Sequence, residues 1–372
     1  MGYGVGVPPR VPYSSMADLT AVATVRTPPP VPESHRSFGT LPEEPSHQPA
    51  MMAAMRPFRF LGHIGPGILD RQQLTDLARR AESIGYSGLV LPDHLLEQHA
   101  PIPVLAAVAA VTERVRIGTF VFNVALRHPA VLAQDLASLD VLSQGRLEIG
   151  IGAGWNRAEF NAIGVPFEPA AVRVRRLAEA VAVLKGCFGD GPFSFAGEFY
   201  TLTDHEGRPK PVQRPHPPLF IGGGGRRTLT LAAQQADIVG LSPRVGHDEH
   251  GRVRPDPYSI TAAGTEEKIG WIREAAGERF GDLELNTYPS GGPVVITDRA
   301  RAVAQERADR VHQQTGVRLS AEEILDSPHV FIGSLDELTR KVLELRERYG
   351  ISSVMVGDID TMAPVVERLA GT

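Results

Sequence analysis

An aspartate and a histidine stand side by side where one apolar segment ends. The segment GLVLPDH (88–94) is typical of a buried strand, and Asp93 and His94 are its last two residues. Imidazole titrates near neutral pH and a neighbouring carboxylate can orient it, so the pair could act in acid–base catalysis. A helix-capping aspartate next to a solvated histidine is the alternative, and the sequence leaves both interpretations open.

Four consecutive glycines form a second candidate site. In LFIGGGGRR (219–227) they separate an apolar segment from a predicted helix that starts with Arg226 and Arg227. Backbone N–H groups at a helix N-terminus bind anions, and a bound anion would offset the unfavourable placing of two arginines there. Arg227 stands where a dinucleotide fingerprint needs glycine, and no Walker lysine and serine follow. The pattern therefore indicates a phosphate site of another kind, made by Gly222, Gly223, Gly224 and Gly225.

A third glycine-rich segment, GIGAGWN (150–156), ends another predicted strand. Glycines there allow a flat ligand to lie against the backbone, and tight packing of neighbouring strands is the alternative. The polar segment HDEH (247–250) matches no metal-ligand spacing, so we predict a solvated loop and no metal site. The single cysteine, Cys187, is expected to be a small buried apolar side chain.

These segments belong to a repeated pattern of strands and helices. Capping boxes at Asp70 and Gln73, and at Ser334 and Glu337, predict where two of the helices begin, and 193–202 is typical of a hairpin. The eight predicted strands span 58–64, 88–94, 115–123, 146–154, 218–223, 237–242, 283–288 and 352–358. Predicted helices include 169–185, 266–276, 299–314, 320–325, 335–349 and 364–369.

Strands that alternate with helices imply right-handed crossovers and a parallel sheet. Eight such units predict an α/β fold, a (β/α)8 TIM barrel with insertions, whereas an open doubly wound sheet is the alternative. The active site of such a barrel lies at the carboxyl ends of its strands, where all three candidate segments stand. One tension remains, because these barrels usually bind phosphate after strands seven and eight and the glycine run follows strand five.

Composition excludes several classes of protein. The chain has 372 residues and a net charge of -5, with both signs well mixed, which argues against a nucleic-acid scaffold. No apolar segment approaches the length that crosses a membrane. The proline-rich residues 1–56 predict a disordered tail, dispensable for function, before one catalytic domain over 57–372. We expect a cytoplasmic protein that acts on a small molecule, and a homodimer is one compatible assembly.

Five segments together resemble the luciferase-like monooxygenase superfamily, and more closely its branch that uses the deazaflavin coenzyme F420. The segments are GLVLPDH, GTFVFNVALRHPAVLAQDLASLDVLSQGRLEIGIGAGW, FAGEFYTL, PVQRPHPPLFIGGGG and AAQQADIVGL. The long segment is the most specific, because a strand, a helix and the next strand match in order and spacing. The resemblance extends from Phe58 to Leu369.

The resemblance implies that the ring system of the cofactor lies at the barrel mouth. A non-prolyl cis peptide between Phe120 and Val121 would support the ring, although residue 120 is commonly smaller in this family. Residues 153–155 would lie under the cofactor's side chain, and the glycine run would hold its phosphate through backbone N–H groups. Arg157, Arg226 and Arg227 are candidates for a basic lip facing the polyglutamate tail. The predicted cofactor-binding residues are Phe120, Val121, Asn123, Ala153, Gly154, Trp155, Gly222, Gly223, Gly224, Gly225 and Arg226.

The resemblance further implies an oxidoreductase that transfers a hydride between F420 and a small organic substrate, with His94 and Asp93 moving the substrate proton. An FMN-dependent monooxygenase with a separate reductase is one alternative, and a catalytically silent flavin-binding protein is another. An aldolase on the same barrel is disfavoured, because no lysine stands at a predicted strand exit to form a Schiff base. The loops 157–168, 243–258 and 288–298, which would shape the substrate pocket, do not identify the substrate.

Overall fold

Eight parallel strands close into a barrel in the computed structural model, which describes residues 56–65, 67–247 and 253–372. The barrel strands are β1 (Arg59–His63), β2 (Gly88–Leu91), β3 (Arg116–Thr119), β5 (Leu147–Gly152), β8 (Leu219–Gly223), β9 (Ile238–Leu241), β12 (Glu284–Thr287) and β15 (Ile351–Gly357). They pair in this order around the barrel, and β15 returns to pair with β1. Each barrel strand therefore has two neighbours, which confirms the predicted (β/α)8 barrel and excludes the open sheet.

Helices cover the outside of the barrel between successive strands, as the apolar periodicity predicts. Both predicted capping boxes are present, at Asp70 with Gln73 and at Ser334 with Glu337. The helices are α1 (Arg71–Ile84), α2 (Pro101–Val111), α3 (Pro129–Leu142), α4 (Arg157–Ala162), α5 (Ala170–Phe188), α6 (Arg226–Gln235), α7 (Ala262–Ala276), α8 (Ala300–Thr315), α9 (Ala321–Asp326), α10 (Leu335–Tyr349) and α11 (Ala363–Leu369). Helix α10 has both predicted ends, whereas α7 begins four residues before the predicted start at residue 266. None of the described helices is long and apolar enough to span a bilayer.

Three predictions concern residues that the structure describes only in part. The predicted tail (1–56) lies outside the described residues except for Arg56, and the domain boundary at residue 57 stays a prediction. Residues 248–250 of the HDEH segment also lie outside them. The described residues belong to one compact unit that ends at Thr372. Within them, no group of three or more histidine, cysteine or acidic side chains could hold a metal ion, and Cys187 is buried.

The third barrel strand is interrupted at its carboxyl end. A cis peptide links Phe120 to Val121, as the family resemblance implies, and a short strand β4 (Phe122–Asn123) follows and pairs with β5. The Val121 side chain packs against β5 at this interruption, since a Cβ at Gly152 would lie 2.7 Å from the Val121 Cγ2 atom. For this glycine, tight packing between strands is therefore the correct one of the two interpretations of GIGAGWN.

The insertions contain more regular structure than the sequence predicts. The hairpin at 193–202 is confirmed as β6 (Phe193–Ala196) and β7 (Thr201–His205). The predicted polar loop over 243–258 is wrong in part, because it contains the antiparallel strands β10 (Val245–His247) and β11 (Val253–Pro255). A two-stranded parallel pair, β13 (Val295–Ile296) and β14 (Ile332–Gly333), was also missed. Strands of two or three residues are too short to show a periodicity in the sequence.

A separate apolar cluster fills the inside of the barrel below the strand exits. Leu61, Val90 and Met355 form it, and the side chains of Phe120 and Tyr288 pack against it. These residues come from β1, from β2, from β15 and from the exits of β3 and β12. Because side chains from strands on opposite sides of a barrel meet only in its interior, this cluster is the floor of the mouth.

Candidate active site

His94 is held by a carboxylate from another part of the chain. Its Nδ1 atom lies 2.9 Å from Oε1 and 3.1 Å from Oε2 of Glu159, whose side chain is buried. The carboxylate only accepts hydrogen bonds, so Nδ1 carries the hydrogen and the lone pair of a neutral ring lies on Nε2. The His94 side chain is 21% exposed, and no described residue occupies Nε2. This nitrogen can therefore exchange a proton with a ligand.

Helix α4 brings Glu159 to His94. The amide of Asn156 caps this helix, accepting from the Ala158 N–H at 3.2 Å, and its Nδ2 donates to Glu159 Oε1 at 2.5 Å. The Leu95 N–H donates to Glu159 Oε2 at 3.3 Å. The carboxylate thus joins the exit of β2 to the exit of β5. The sequence missed Glu159, because nothing in the spacing of residues 94 and 159 indicates that they meet.

Asp93 does not orient the His94 ring, so that part of the prediction is wrong. Its carboxylate forms a bidentate ion pair with Arg127, at 2.5 Å and 3.0 Å, and accepts from the Asn123 N–H at 3.1 Å. Although they are adjacent in the chain, Asp93 and His94 therefore reach different partners. Buried and fully paired, Asp93 secures β4 to the exit of β2. Arg127, its partner, was also missed.

The exit of β5 forms a second side of the site. The Trp155 ring is edge-on to His94, with ring centroids 5.5 Å apart, and its side chain is 45% exposed. Gly154 has a φ of 73°, and a Cβ there would lie 2.6 Å from the Asn123 Oδ1 atom, so only glycine fits. Arg173 donates to the Gly154 carbonyl. The predicted residues Asn123, Ala153, Gly154 and Trp155 therefore lie together near His94.

Two arginines lie beside this exit, and the nearby Glu168 forms its ion pair with Arg176 rather than with either of them. The guanidinium carbons of Arg157 and Arg173 lie 5.0 Å and 4.2 Å from the centroid of the Phe167 ring. Burial, and next the nearby charge of Arg157, lower the pKa of Arg173, and Glu168 opposes this shift. The positive charge predicted at Arg157 is thus present near Gly154, together with a second cation that the sequence did not single out.

The glycine run comprises the last two residues of β8 and the two residues that connect this strand to α6. Gly225 is the N-cap of α6 and supplies no side chain to the first turn, while the surroundings of its α-carbon are open. Gly224 is enclosed, because a Cβ there would collide with the carbonyl group of Pro243. An uncapped helix N-terminus next to open space fits a phosphate group. Arg226 points elsewhere, since its guanidinium pairs with Glu274 of α7 at 2.7 Å on the surface.

Aromatic rings line the opposite wall of the mouth. Phe120 lies between Phe220 and Tyr288, with ring centroids 5.0 Å and 5.3 Å away. Its large side chain therefore fills the interior under the cis peptide rather than leaving a gap. At the exit of β1, burial lowers the pKa of His63, so this imidazole is neutral at neutral pH. The structure thus adds Tyr288 to the site as a lining residue.

Comparisons with known proteins identify one family. The model of the luciferase-like monooxygenase family matches residues 45–329. An FMNH(2)-dependent dimethylsulfone monooxygenase of Pseudomonas putida is 36% identical over 140 residues, which are 38% of this chain and 38% of the relative. An F420-dependent glucose-6-phosphate dehydrogenase of Kineococcus radiotolerans is 36% identical over 173 residues, 44% of this chain and 50% of the relative. The chain thus spans half or less of the length of these relatives.

Solved structures share the fold at low identity. An F420-dependent secondary alcohol dehydrogenase, in complex with an F420–acetone adduct, superposes with a TM-score of 0.64 and 19% identity, over 84% of this chain and 98% of the other. Riboflavin lyase, with modified FMN and riboflavin, gives a TM-score of 0.62 and 15% identity, over 85% and 93%. These similarities support the barrel fold, and the relatives include users of both cofactors.

Proposed function

Since this chain belongs to the luciferase-like monooxygenase family, we propose that it is an oxidoreductase that transfers a hydride between coenzyme F420 and a small organic substrate. The observation that carries the proposal is the His94 ring, held at Nδ1 by Glu159 and open at Nε2. When bound, F420 supplies two-electron hydride chemistry, and the protein supplies orientation and a proton carrier.

His94 is proposed as the group that moves the substrate proton. Its Nε2 accepts the proton of a substrate hydroxyl during oxidation, or returns it during reduction. Glu159 stabilises the imidazolium that forms, because an ionised carboxylate attracts the new positive charge at short range. Asp93 is proposed to act through Arg127 and β4, which makes it a positioning residue for this reaction.

The cofactor is proposed to lie between the exits of β5 and β8. The uncapped N-terminus of α6 would hold its phosphate, and the Gly154 region would hold its side chain. The Phe120–Val121 peptide would lie against its ring. Arg157 and Arg173 are suited to an anionic tail, whereas Arg226 already has its charge paired with Glu274. These residues fit a phosphate-bearing cofactor of either the deazaflavin or the flavin type.

Relatives with F420 in their names favour the deazaflavin. They include the glucose-6-phosphate dehydrogenase of Kineococcus radiotolerans, at 36% identity. The dimethylsulfone monooxygenase, equally identical over a shorter segment, favours the alternative, a monooxygenase that receives reduced FMN from a separate reductase. A silent flavin-binding protein is the alternative of another class, and cofactor binding without turnover would select it.

Titration of the purified protein with F420 and with oxidised and reduced FMN, followed by fluorescence, tests the cofactor. We expect micromolar binding of F420 and weaker binding of FMN. Tight FMN binding without F420 binding would overturn the deazaflavin assignment and leave the monooxygenase. A cytoplasmic location and a homodimer are further proposals, and light scattering of the purified chain tests the dimer.

A further inference from the structure

A buried pair of basic side chains lies behind the aromatic wall of the mouth. Lys268 of α7 is 1% exposed and His329, between α9 and β14, is 0% exposed. The Lys268 Nζ atom lies 3.4 Å from His329 Nε2. Lysine is seldom fully buried, since removing its charge from water is costly unless specific partners compensate. The pair therefore needs an explanation beyond packing.

Lys268 reaches the exit of β9. Its Nζ donates to the carbonyl of Ser242, the first residue after that strand, at 3.0 Å. Three charged groups surround it at longer range: Arg244 after the same strand, Asp256 before α7, and Glu267 on α7. Arg244 pairs with both acids, at 2.9 Å to Asp256 and 3.4 Å to Glu267. Among the described residues, Lys268 thus has no carboxylate as a direct ion-pair partner.

His329 reaches the exit of β12. Its Nδ1 lies 3.2 Å from Thr287 Oγ1 and 3.0 Å from Ser290 Oγ, and its carbonyl accepts from the Gly291 N–H at 3.0 Å. The Thr287 hydroxyl donates to Pro328, so its oxygen is available to accept from Nδ1. This leaves Nε2 to accept from Lys268. Burial, and next the charge of Lys268, hold the pKa of His329 well below its usual range, with a smaller effect in the same direction from Lys341 of α10.

The two exits meet at Tyr288. The Tyr288 ring lies edge-on to Phe120, and the Ser242 side chain lies near its phenol, whose pKa burial raises and Ser242 lowers. Lys268 therefore binds the backbone of Ser242, while His329 binds Thr287 and Ser290, which flank Tyr288. We call the side chains of Ser242 and Tyr288 the mouth wall. The hydrogen-bonded chain from Ser242 through Lys268 and His329 to Ser290 supports both ends of this wall.

We propose that Lys268 and His329 are positioning residues for the mouth wall, and that the charge on Lys268 determines how firmly the wall holds a bound substrate. Burial, and next Arg244, lower the pKa of Lys268 to about 7, while Asp256 and Glu267 oppose this shift. A state in which the wall opens and water reaches Lys268 would bind this proton more tightly than the closed wall does. The wall should accordingly tighten as the pH rises through neutrality.

Hydrogen exchange of residues 242–247 and 287–292 tests the proposal without any ligand. We expect Lys268→Met to accelerate exchange in both segments by about tenfold, which corresponds to about 1.4 kcal/mol of local stability. Lys185→Met is the matched control, because Lys185 of α5 also donates to a backbone carbonyl, but to that of Gln235 at the carboxyl end of α6. Unchanged exchange in Lys268→Met, relative to the wild type and this control, would overturn the proposal.

A second variant and a comparison of exchange at two pH values test the proposal further. If Lys268→Met does not fold, Ser290→Ala removes one of the two hydroxyl partners of His329 Nδ1 and leaves Thr287, and faster exchange confined to 287–292 is then expected. The wild type should also exchange more slowly at pH 8 than at pH 6, after correction for the intrinsic rate, and Lys268→Met should show no such difference. Equal pH behaviour in the two proteins contradicts the role of the charge.

Only the link to substrate binding rests on the proposed function. With a working substrate, KM should fall about tenfold from pH 6 to pH 8 while kcat changes little, as expected for a gain of uniform binding. That fall should be absent in Lys268→Met. Absence of turnover with F420 and with FMN would refute the proposed function but leave the exchange result, so the two failures are distinguishable.

Discussion

Two histidines near the strand exits have opposite surroundings. The His94 ring is 21% exposed, binds a carboxylate at one nitrogen and keeps the other open. The His329 ring is fully buried, and both of its nitrogens lie against protein side chains. The first ring can exchange a proton with a ligand, whereas the second can only transmit position. Residue type alone therefore does not decide function, and access and partners do.

The comparison predicts its largest effect at His94. Removing the imidazole in His94→Ala should lower kcat by about 10²- to 10⁴-fold, the usual contribution of general acid–base catalysis, without weakening cofactor binding. Steady-state kinetics and a fluorescence titration measure the two quantities. His205→Ala, at an exposed histidine of β7, is the control and should behave as the wild type. Unaltered turnover in His94→Ala would remove the proton-transfer role.

Glu159→Gln should have the next largest effect. The amide keeps the shape but can donate to Nδ1, which favours the tautomer with hydrogen on Nε2 and removes the acceptor that faces the mouth. We expect a loss of kcat of roughly 10²-fold, at the lower end of the range for acid–base groups. Kinetics with saturating cofactor check this. If Glu159→Gln and the wild type have equal kcat, the carboxylate does not orient a catalytic ring.

The two adjacent glycines before α6 should separate folding from cofactor binding. Gly224→Ala places a Cβ against the Pro243 carbonyl, and such overpacking should lower the free energy of unfolding by about 1–3 kcal/mol. Gly225→Ala meets open space and should cost at most about 1 kcal/mol, as for other weak N-caps. Urea unfolding measures both. Cofactor affinity should nevertheless fall in Gly225→Ala, and an unchanged affinity would show that the phosphate lies elsewhere.

Lys268, the partner of the buried His329, is predicted to have a smaller, pH-dependent effect on stability. With a pKa of about 7, native Lys268 loses its proton above neutrality, whereas the unfolded chain keeps it up to its usual pKa of about 10.4. The free energy of unfolding of the wild type, relative to Lys268→Met, should thus rise by roughly 1 kcal/mol per pH unit between pH 7 and 10. Urea unfolding at several pH values measures this slope, and parallel curves for the two proteins would contradict it.

Local patterns in the sequence predicted most of the fold. The capping residues Ser334 and Glu337 and the apolar spacing between them and Tyr349 determine α10 through contacts within a few residues. Strand and helix order follow from the same short-range rules, and order alone favours a closed barrel. Structure that depends on distant pairing was missed. Strand β13, of two residues, exists because it pairs with β14, and no local pattern marks it.

The candidate site could be predicted only as a set of strand exits. Asp93 and His94, the Gly154 region and the glycine run all lie at the carboxyl ends of barrel strands, as chain order required. Their partners could not be predicted. Glu159 and Arg127 lie 65 and 34 residues from the side chains that they bind. Which of two neighbouring residues faces which partner depends on backbone direction at each exit, and the sequence does not contain that direction in any short segment.

The sequence by itself determined the barrel, the location of its mouth and the kinds of side chain present there. Periodicity and capping act over a few residues, so a single chain displays them directly. Tertiary structure alone decided that His94 meets Glu159 rather than Asp93, and that Lys268 supports a strand exit from a helix. Those contacts arise when the barrel closes and brings strand exits together, because closure fixes distances between segments that the chain leaves far apart.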